Sequence, residues 1–364
     1  RSFHFSVNHA LADEMTEAIC KELELRTDYL PEKQPLQTVY FGGGTPSILS
    51  AAQMGRIFQS IHRNYSLAEN AEITMEVNPD DLTKNKLTEL RQLPVNRISV
   101  GVQSFNDRDL SLMNRSHNAA TAEQSIYAAA EAGYDNITMD LIYGIPGSGM
   151  EIWSENLSKA FSLPIQHLSC YGLTIEKRTR LSQMVSKGEI TIEPDEQYLQ
   201  QFSELMDRAT ASGFEHYEIS NFARPGFRSK HNSRYWKDLP YLGIGPSAHS
   251  YNGKSRQWNV SSNAAYMQSL AKGEVPSEIE HLTITDRYNE YVMTRLRTVE
   301  GANLNKIKDK FGDEFANHFL NEIRIHVESG AVQVEGSDYS LTRSGQFIAD
   351  RVASDVFRVE TENG

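Results

Sequence analysis

Gly42, Gly43 and Gly44 follow the apolar run Val39-Tyr40-Phe41 and lead into Thr45, Pro46 and Ser47. Glycines that end a strand-like run give up side chains so that something can approach the backbone. Glu76, Gln103 and Asp140 fall at or near the ends of later β-rich runs, and Arg115 follows Gln103 by twelve residues. As one set they suit a small zwitterion. Backbone carbonyls and a carboxylate would take its ammonium, the guanidinium its carboxylate, and side-chain oxygens the hydroxyls of an attached sugar. Singly each has a plainer reading: the glycines as a flexible turn, Glu76 as a solvated strand end, Arg115 as an exposed helix charge. Only a shared edge makes them a site.

A second group lies further on. Residues 222–258 hold seven cations (Arg224, Arg228, Lys230, Arg234, Lys237, Lys254, Arg256) against the single acid Asp238, and seven aromatics including Trp236 and Trp258. The protein as a whole carries a net charge of −12, so this is an island of opposite sign. A basic, aromatic surface fits a flat ligand bearing carboxylates, such as a tetrapyrrole with propionates; stacked single-stranded nucleic acid is the competing reading. The overall negative charge favours the compact ligand over nucleic acid. An iron tetrapyrrole would need an imidazole or thiolate. His231, beside arginines and tyrosine, is the first candidate. His249, in a run of small residues, reads either as the next candidate or as a hydrogen-bonded core residue.

The elements that must position these groups alternate. Strand-like runs at Val39–Phe41, Glu72–Val77, Arg97–Gln103, Ile137–Tyr143, His167–Leu173 and Glu215–Ile219 are separated by segments of helical spacing. Such an α/β alternation predicts parallel strands joined by right-handed crossovers. An open or closed (β/α) barrel fits best, because the polar residues gather at strand C-termini, where barrels keep their sites. The pattern changes after Phe222 and again near Thr285. Three domains are expected: a barrel over 1–221, a basic aromatic connecting segment over 222–261, and a mostly helical, winged-helix-like domain over 262–364. That last segment carries 11 Lys and Arg against 17 Asp and Glu, the wrong balance for a DNA reader. No run is long and apolar enough to predict a membrane span. With two cysteines, Cys20 and Cys170, a disulfide framework is excluded and a cytoplasmic location is expected.

Gly42-Gly-Gly-Thr-Pro-Ser47, Glu76-Val-Asn-Pro79, Ser99-Val-Gly-Val-Gln-Ser-Phe105 and Asp140-Leu-Ile-Tyr-Gly-Ile-Pro-Gly147 together resemble the radical S-adenosylmethionine superfamily, and within it the oxygen-independent coproporphyrinogen III oxidase group. His167-Leu-Ser-Cys-Tyr-Gly-Leu-Thr174, Tyr217-Glu-Ile-Ser-Asn-Phe222, His231-Asn-Ser-Arg-Tyr-Trp236 and Tyr241-Leu-Gly-Ile-Gly-Pro-Ser-Ala-His249 extend the likeness from Phe3 to about Phe357. The phrases Glu-Ile-Ser-Asn-Phe and His-Asn-x-x-Tyr-Trp are similar to the haem chaperone branch. The resemblance implies a partial (β/α)6 radical-SAM-type TIM barrel in which Gly43, Gly44, Thr45, Glu76, Gln103, Arg115 and Asp140 contact S-adenosylmethionine.

It also implies a Cys-x-x-x-Cys-x-x-Cys-x-Phe loop whose three thiolates hold a 4Fe-4S cluster. Phe3 matches the final Phe, so Arg1 stands where the third cysteine would be. The sequence therefore carries no metal ligands of this kind, and the complete protein is expected to supply them upstream. What the resemblance implies is a chaperone that binds haem and passes it to acceptor proteins, with peripheral contact to membrane-bound acceptors open. The alternative is the oxidase, in which radical chemistry decarboxylates porphyrinogen propionates. A cluster-free scaffold is a third possibility.

Overall fold

The computed structural model describes residues 9–31, 34–43, 46–176, 179–192 and 194–359. Gly44 and Thr45, together with Arg1 and Phe3, lie outside the described residues. In chain order the first part runs α1 (His9–Leu25), β1 (Leu36–Phe41), α2 (Ala51–Asn64), β2 (Leu67–Val77), α3 (Lys84–Leu90), β3 (Arg97–Gln103), α4 (Asp107–Leu112) and α5 (Ala119–Glu131). It continues through β4 (Ile137–Tyr143), α6 (Met150–Ser162), β5 (His167–Gly172), α7 (Arg180–Ser186), α8 (Asp195–Ala211), β6 (Glu215–Glu218) and β7 (Asn221–Ala223). Two compact units result. One takes the described residues of 37–55 and 69–229, the other those of 9–36, 56–68 and 230–359.

The first unit is an α/β partial barrel. Its sheet has the order β1-β2-β3-β4-β5-β7-β6, and β2, β3, β4 and β5 pair in parallel. Parallel strands are covered on both faces, which is why Ile98, Val100, Val102, Met139 and Leu168 are fully buried and why the runs read as nearly continuous apolar stretches. Helix caps fix where each crossover begins. Asn106 accepts from the backbone of Arg108 and Asp109, and Asn118 from that of Thr121, satisfying N–H groups that a helix start leaves unpaired.

One expectation needs correcting. The alternation predicts that Glu215–Ile219 pairs in parallel with His167–Leu173. Instead β7 turns back directly after β6 and inserts between them, antiparallel to both. The Glu218 carboxylate holds that reversal by accepting from the Ser220 backbone at 3.0 Å and from Asn221 Nδ2 at 2.5 Å. Three residues of strand, all buried, were too short to show a period.

Residues 222–258 prove more regular than the sequence suggests, and those from Lys230 on belong to the second unit. From Lys230 on they form α9 (Lys230–Trp236), β8 (His249–Tyr251) and β9 (Ser255–Asn259). After α10 (Asn263–Ala271), β10 (Ser277–His281) completes an antiparallel meander. Glu22 of α1, fully buried, is the anchor of this region. It accepts from Arg26 Nε (3.1 Å), the Gly245 backbone (2.9 Å), Asn259 Nδ2 (2.8 Å) and Tyr266 Oη (2.5 Å). A buried carboxylate with four donors is the arrangement that makes such burial tolerable.

The C-terminal part comprises α11 (Ile284–Leu296), β11 (Ala302–Asn303), α12 (Leu304–Phe311), α13 (Asp313–Glu328), β12 (Val332–Glu335), β13 (Asp338–Leu341), α14 (Arg343–Gln346) and α15 (Ala349–Asp355). Three helices accompany a small sheet of order β11-β13-β12, whose first strand lies between α11 and α12, a winged-helix-like pattern built on Tyr288, Phe319 and Ile323.

Candidate functional site

Five of the predicted contacts fall in the first unit and can be placed. Glu76 lies one residue before the end of β2. Its Oε1 accepts from Tyr40 Oη at 2.5 Å and its Oε2 from the Gly43 backbone at 3.1 Å. The reason for glycine at 42 is then concrete: a Cβ there would stand 2.6 Å from Glu76 Cδ and 2.6 Å from the Tyr40 ring. Gly43 adopts φ +81°, a conformation open to glycine at little cost. Tyr40 was expected only as a buried strand residue; its hydroxyl in fact aims the carboxylate. A tyrosine one residue before the end of a strand was the available signal.

Gln103 ends β3 in the left-handed region at φ 70°, after a break in register with β4 between Val100 and Gln103. Its amide folds back over Gly101, where a Cβ would lie 3.0 Å from Nε2. A non-glycine residue held there stores strain of the kind found at ligand sites. Arg115 is partly covered, and burial pulls its pKa down while Asp140 opposes the shift. The segment around it is fastened to the barrel: His117 Nε2 bonds the Val102 carbonyl at 3.0 Å, and Ser116 donates to Asp80. Asp81 binds the neighbouring loop, accepting from Ser47 Oγ at 2.6 Å and Asn78 Nδ2 at 3.3 Å. His117 and the Asp80–Asp81 pair are positioning residues that no sequence pattern announced.

Asp140, expected near a strand end, is instead in the middle of β4, level with Ser169 of β5, because the strand runs on to Tyr143. Although some of its surface is accessible, the protein around it is dense enough that desolvation, aided by Glu76, raises its pKa from 3.8 to about 7; Ser169, Arg115 and Arg97 pull the other way. Glu76 and Asp140 repel each other, and the desolvated Arg115 and Arg97 offset that repulsion only in part. Such a site favours a cation and offers Arg115 to an anion on the same ligand.

His231 belongs to the second unit, at the start of α9. Its Nε2 meets Tyr235 Oη at 3.1 Å, and burial with the nearby Arg234 lowers its pKa to about 4, so the ring is neutral at physiological pH. The rings of His231, Tyr235 and Tyr241 run in sequence, with centroids 5.1 Å and then 4.7 Å apart, and Tyr235 is 39% exposed. His249 is no core residue. It is exposed on β8, with its ring 6.2 Å from that of Trp258. Several cations of 222–258 have partners within their own unit. Arg228 pairs with Glu215, Arg256 pairs with Glu290, and Arg224 lies over Phe214. Among the described residues no group of three or more His, Cys, Asp or Glu is placed to hold a metal ion. Nor, among the described residues, is any helix long and apolar enough to cross a membrane.

Comparison with known proteins bears on the family and the fold. Residues 12–158 match the radical SAM superfamily and residues 282–348 the HemN C-terminal domain. The heme chaperone HemW of Bacillus subtilis is 32% identical over 93% of this chain and 90% of its own length. The chain belongs to the HemW family of the radical SAM superfamily. The HemW of Lactococcus lactis is 34% identical over 80% of this chain and 77% of its own. The structure of coproporphyrinogen III oxidase from Escherichia coli superposes with a TM-score of 0.81 over 97% of this chain and 84% of that one. At 23% identity that likeness establishes the shared fold alone.

Proposed function

We propose that this HemW-family protein is a haem chaperone: it binds haem and transfers it to acceptor proteins. The observation that carries the reading is the 32% identity to a heme chaperone across 90% of that relative's length. The chemistry of α9 supports it. A neutral imidazole is the state in which histidine ligates iron, and the Tyr235–Tyr241 row offers flat aromatic contact for a macrocycle. His231 is the proposed axial ligand. Among the acceptors, membrane-bound haem proteins reached by peripheral contact are included, and a cytoplasmic location is proposed.

The strand end of the barrel is the proposed S-adenosylmethionine site, and its donor set fits that molecule. Glu76, aimed by Tyr40, and Asp140 would take the cationic groups; Arg115 would take the ligand carboxylate; Gly43 would admit the ligand to the backbone. Gln103 completes the described set, and Gly44 and Thr45, outside the described residues, join it by the resemblance alone. A 4Fe-4S cluster, which the resemblance implies beside S-adenosylmethionine, would supply reducing electrons when bound; among the described residues no group of three or more His, Cys, Asp or Glu is placed to hold it. The oxidase alternative draws only on the common fold.

The test is a haem titration of the wild-type chain and of His231→Ala, followed by the Soret band. Stoichiometric binding by the wild type and its loss in a folded variant are expected. Absence of binding by the wild type would overturn the reading; unchanged binding by the variant would move the ligand to another residue.

A further inference from the structure

The interior of a (β/α) barrel is ordinarily filled by branched apolar side chains in layers. Here one face of the sheet carries a polar row instead. Ser99 of β3 pairs with Thr138 of β4, and Thr138 with His167 of β5, so the three share one face and one level. Arg97 lies two residues back from Ser99 on that face, opposite Thr74 of β2. Asp140 lies two residues beyond Thr138, about 7 Å further along the strand. The polar row is therefore the floor beneath the proposed S-adenosylmethionine site.

This floor is closed and incompletely paired. Thr74, Arg97, Thr138 and His167 are between 0% and 4% exposed, yet Thr74 Oγ1, Arg97 Nη2, Thr138 Oγ1 and His167 Nδ1 have no hydrogen-bond partner in the protein. The other side of each group is well held. Arg97 Nη1 donates to Asn136 Oδ1 at 2.7 Å and lies 3.8 Å from Glu72 Oε2. Tyr217 Oη accepts from the Ser229 backbone at 3.3 Å and lies 2.7 Å from His167 Nε2. His167 Nδ1, on the other side of the ring, has no partner. One unpaired buried polar atom costs on the order of 1–3 kcal/mol. Four on adjacent strands, spaced about 4.8 Å, are not four separate accidents.

We infer that this floor binds a cluster of ordered water molecules, hydrogen-bonded by Arg97 Nη2, His167 Nδ1 and the Thr74 and Thr138 hydroxyls. Water rather than an anion follows from charge and from chemistry. Glu72 already offsets Arg97, the Glu76 carboxyl lies level with Ser99 in the same row, and that of Asp140 stands above. Two of the four groups are hydroxyls, which must accept as well as donate, and water satisfies both needs. The cluster keeps the floor polar beneath Asp140, so that the carboxylate can form when a cationic ligand arrives. This role rests on the proposed ligand site, but the waters are tested without any ligand, so the two can fail separately.

A crystal structure of the ligand-free protein, with a second crystal soaked in sodium bromide, decides the matter. Expected are at least two ordered waters within hydrogen-bond distance of these four atoms and no anomalous bromide peak among them. A bromide peak there, or a dry layer in which the four atoms find protein partners, would overturn the inference. Thr138→Val supplies a second reading. Over a hydrated floor it removes one partner and lowers Tm by about 2 °C; over a dry one the same isostere leaves Tm equal or higher. The role is tested by the pH profile of S-adenosylmethionine affinity. In Thr138→Val its midpoint should rise by about half a unit, because a drier floor disfavours the carboxylate. An unmoved midpoint would leave the waters structural and refute the role.

Discussion

Titration of Asp140 should make S-adenosylmethionine binding proton-linked. Asp140 faces Glu76 from β2, Arg97 from β3, Arg115 from the segment after α4, Tyr40 from β1, and Ser169, Cys170 and Tyr171 from β5. Desolvation and Glu76 dominate, placing the carboxyl at about 7 in the empty site. A cationic ligand favours the ionised form, so binding must expel a proton whenever the pH lies below that value. The sign follows directly: affinity rises with pH through the neutral range and levels off above it. If the ligand binds only the carboxylate, the ionised fraction grows about tenfold between about pH 6 and about pH 8, and Kd falls by the same factor. Isothermal titration calorimetry in two buffers of different ionisation enthalpy would measure the protons released. Expected is a release approaching one proton at about pH 6, none at about pH 8, and no release at either pH in Asp140→Asn. A flat affinity profile, or proton release that persists in Asp140→Asn, would refute the reasoning.

Other consequences concern named contacts. Tyr40→Phe removes the 2.5 Å bond to Glu76; S-adenosylmethionine affinity should fall by about tenfold with Tm little changed, as measured by calorimetry and thermal melting. Gly42→Ala places a methyl 2.6 Å from Glu76 Cδ; affinity should fall at least as far while haem binding at the second unit persists. Glu22→Ala strands the Arg26 guanidinium and three further donors in the buried anchor of the second unit. Urea unfolding should show a loss of about 3–5 kcal/mol, and a loss below about 1 kcal/mol would mean that water replaces the carboxylate.

The positions of Glu76 and Gln103 near strand ends were legible, whereas that of Asp140, mid-strand in β4, was not. Glu76 and Asp140 stand out among Ile, Val, Met and Leu, and the glycines end a β-branched and aromatic run. The barrel was legible because strands buried on both faces read as apolar blocks separated by helical periods. What escaped the sequence depends on direction rather than on type. The insertion of β7 is three residues long and rests on the Glu218 carboxylate. The left-handed turn of Gln103 and the break in register before it cannot be inferred from a run such as Ser-Val-Gly-Val-Gln. The buried polar floor was invisible because Thr74, Arg97, Thr138 and His167 lie on strands whose facing is fixed only by pairing register. The basic composition of 222–258 suggested one surface, whereas intramolecular partners engage several of its cations. The exposure of His249 on an edge strand was likewise a matter of pairing, not of its small neighbours.

Transfer is the claim that sets a chaperone apart from a protein that merely holds haem. The haem-loaded protein should therefore be mixed with an apo-haem protein whose Soret maximum differs from its own. The account predicts that the donor band decays as the acceptor band grows, faster than the spontaneous loss of haem into a passive scavenger. It also predicts that His231→Ala, unable to load, gives no transfer. Haem that stays on this chain, or leaves no faster in the presence of the acceptor than of the scavenger, would contradict it.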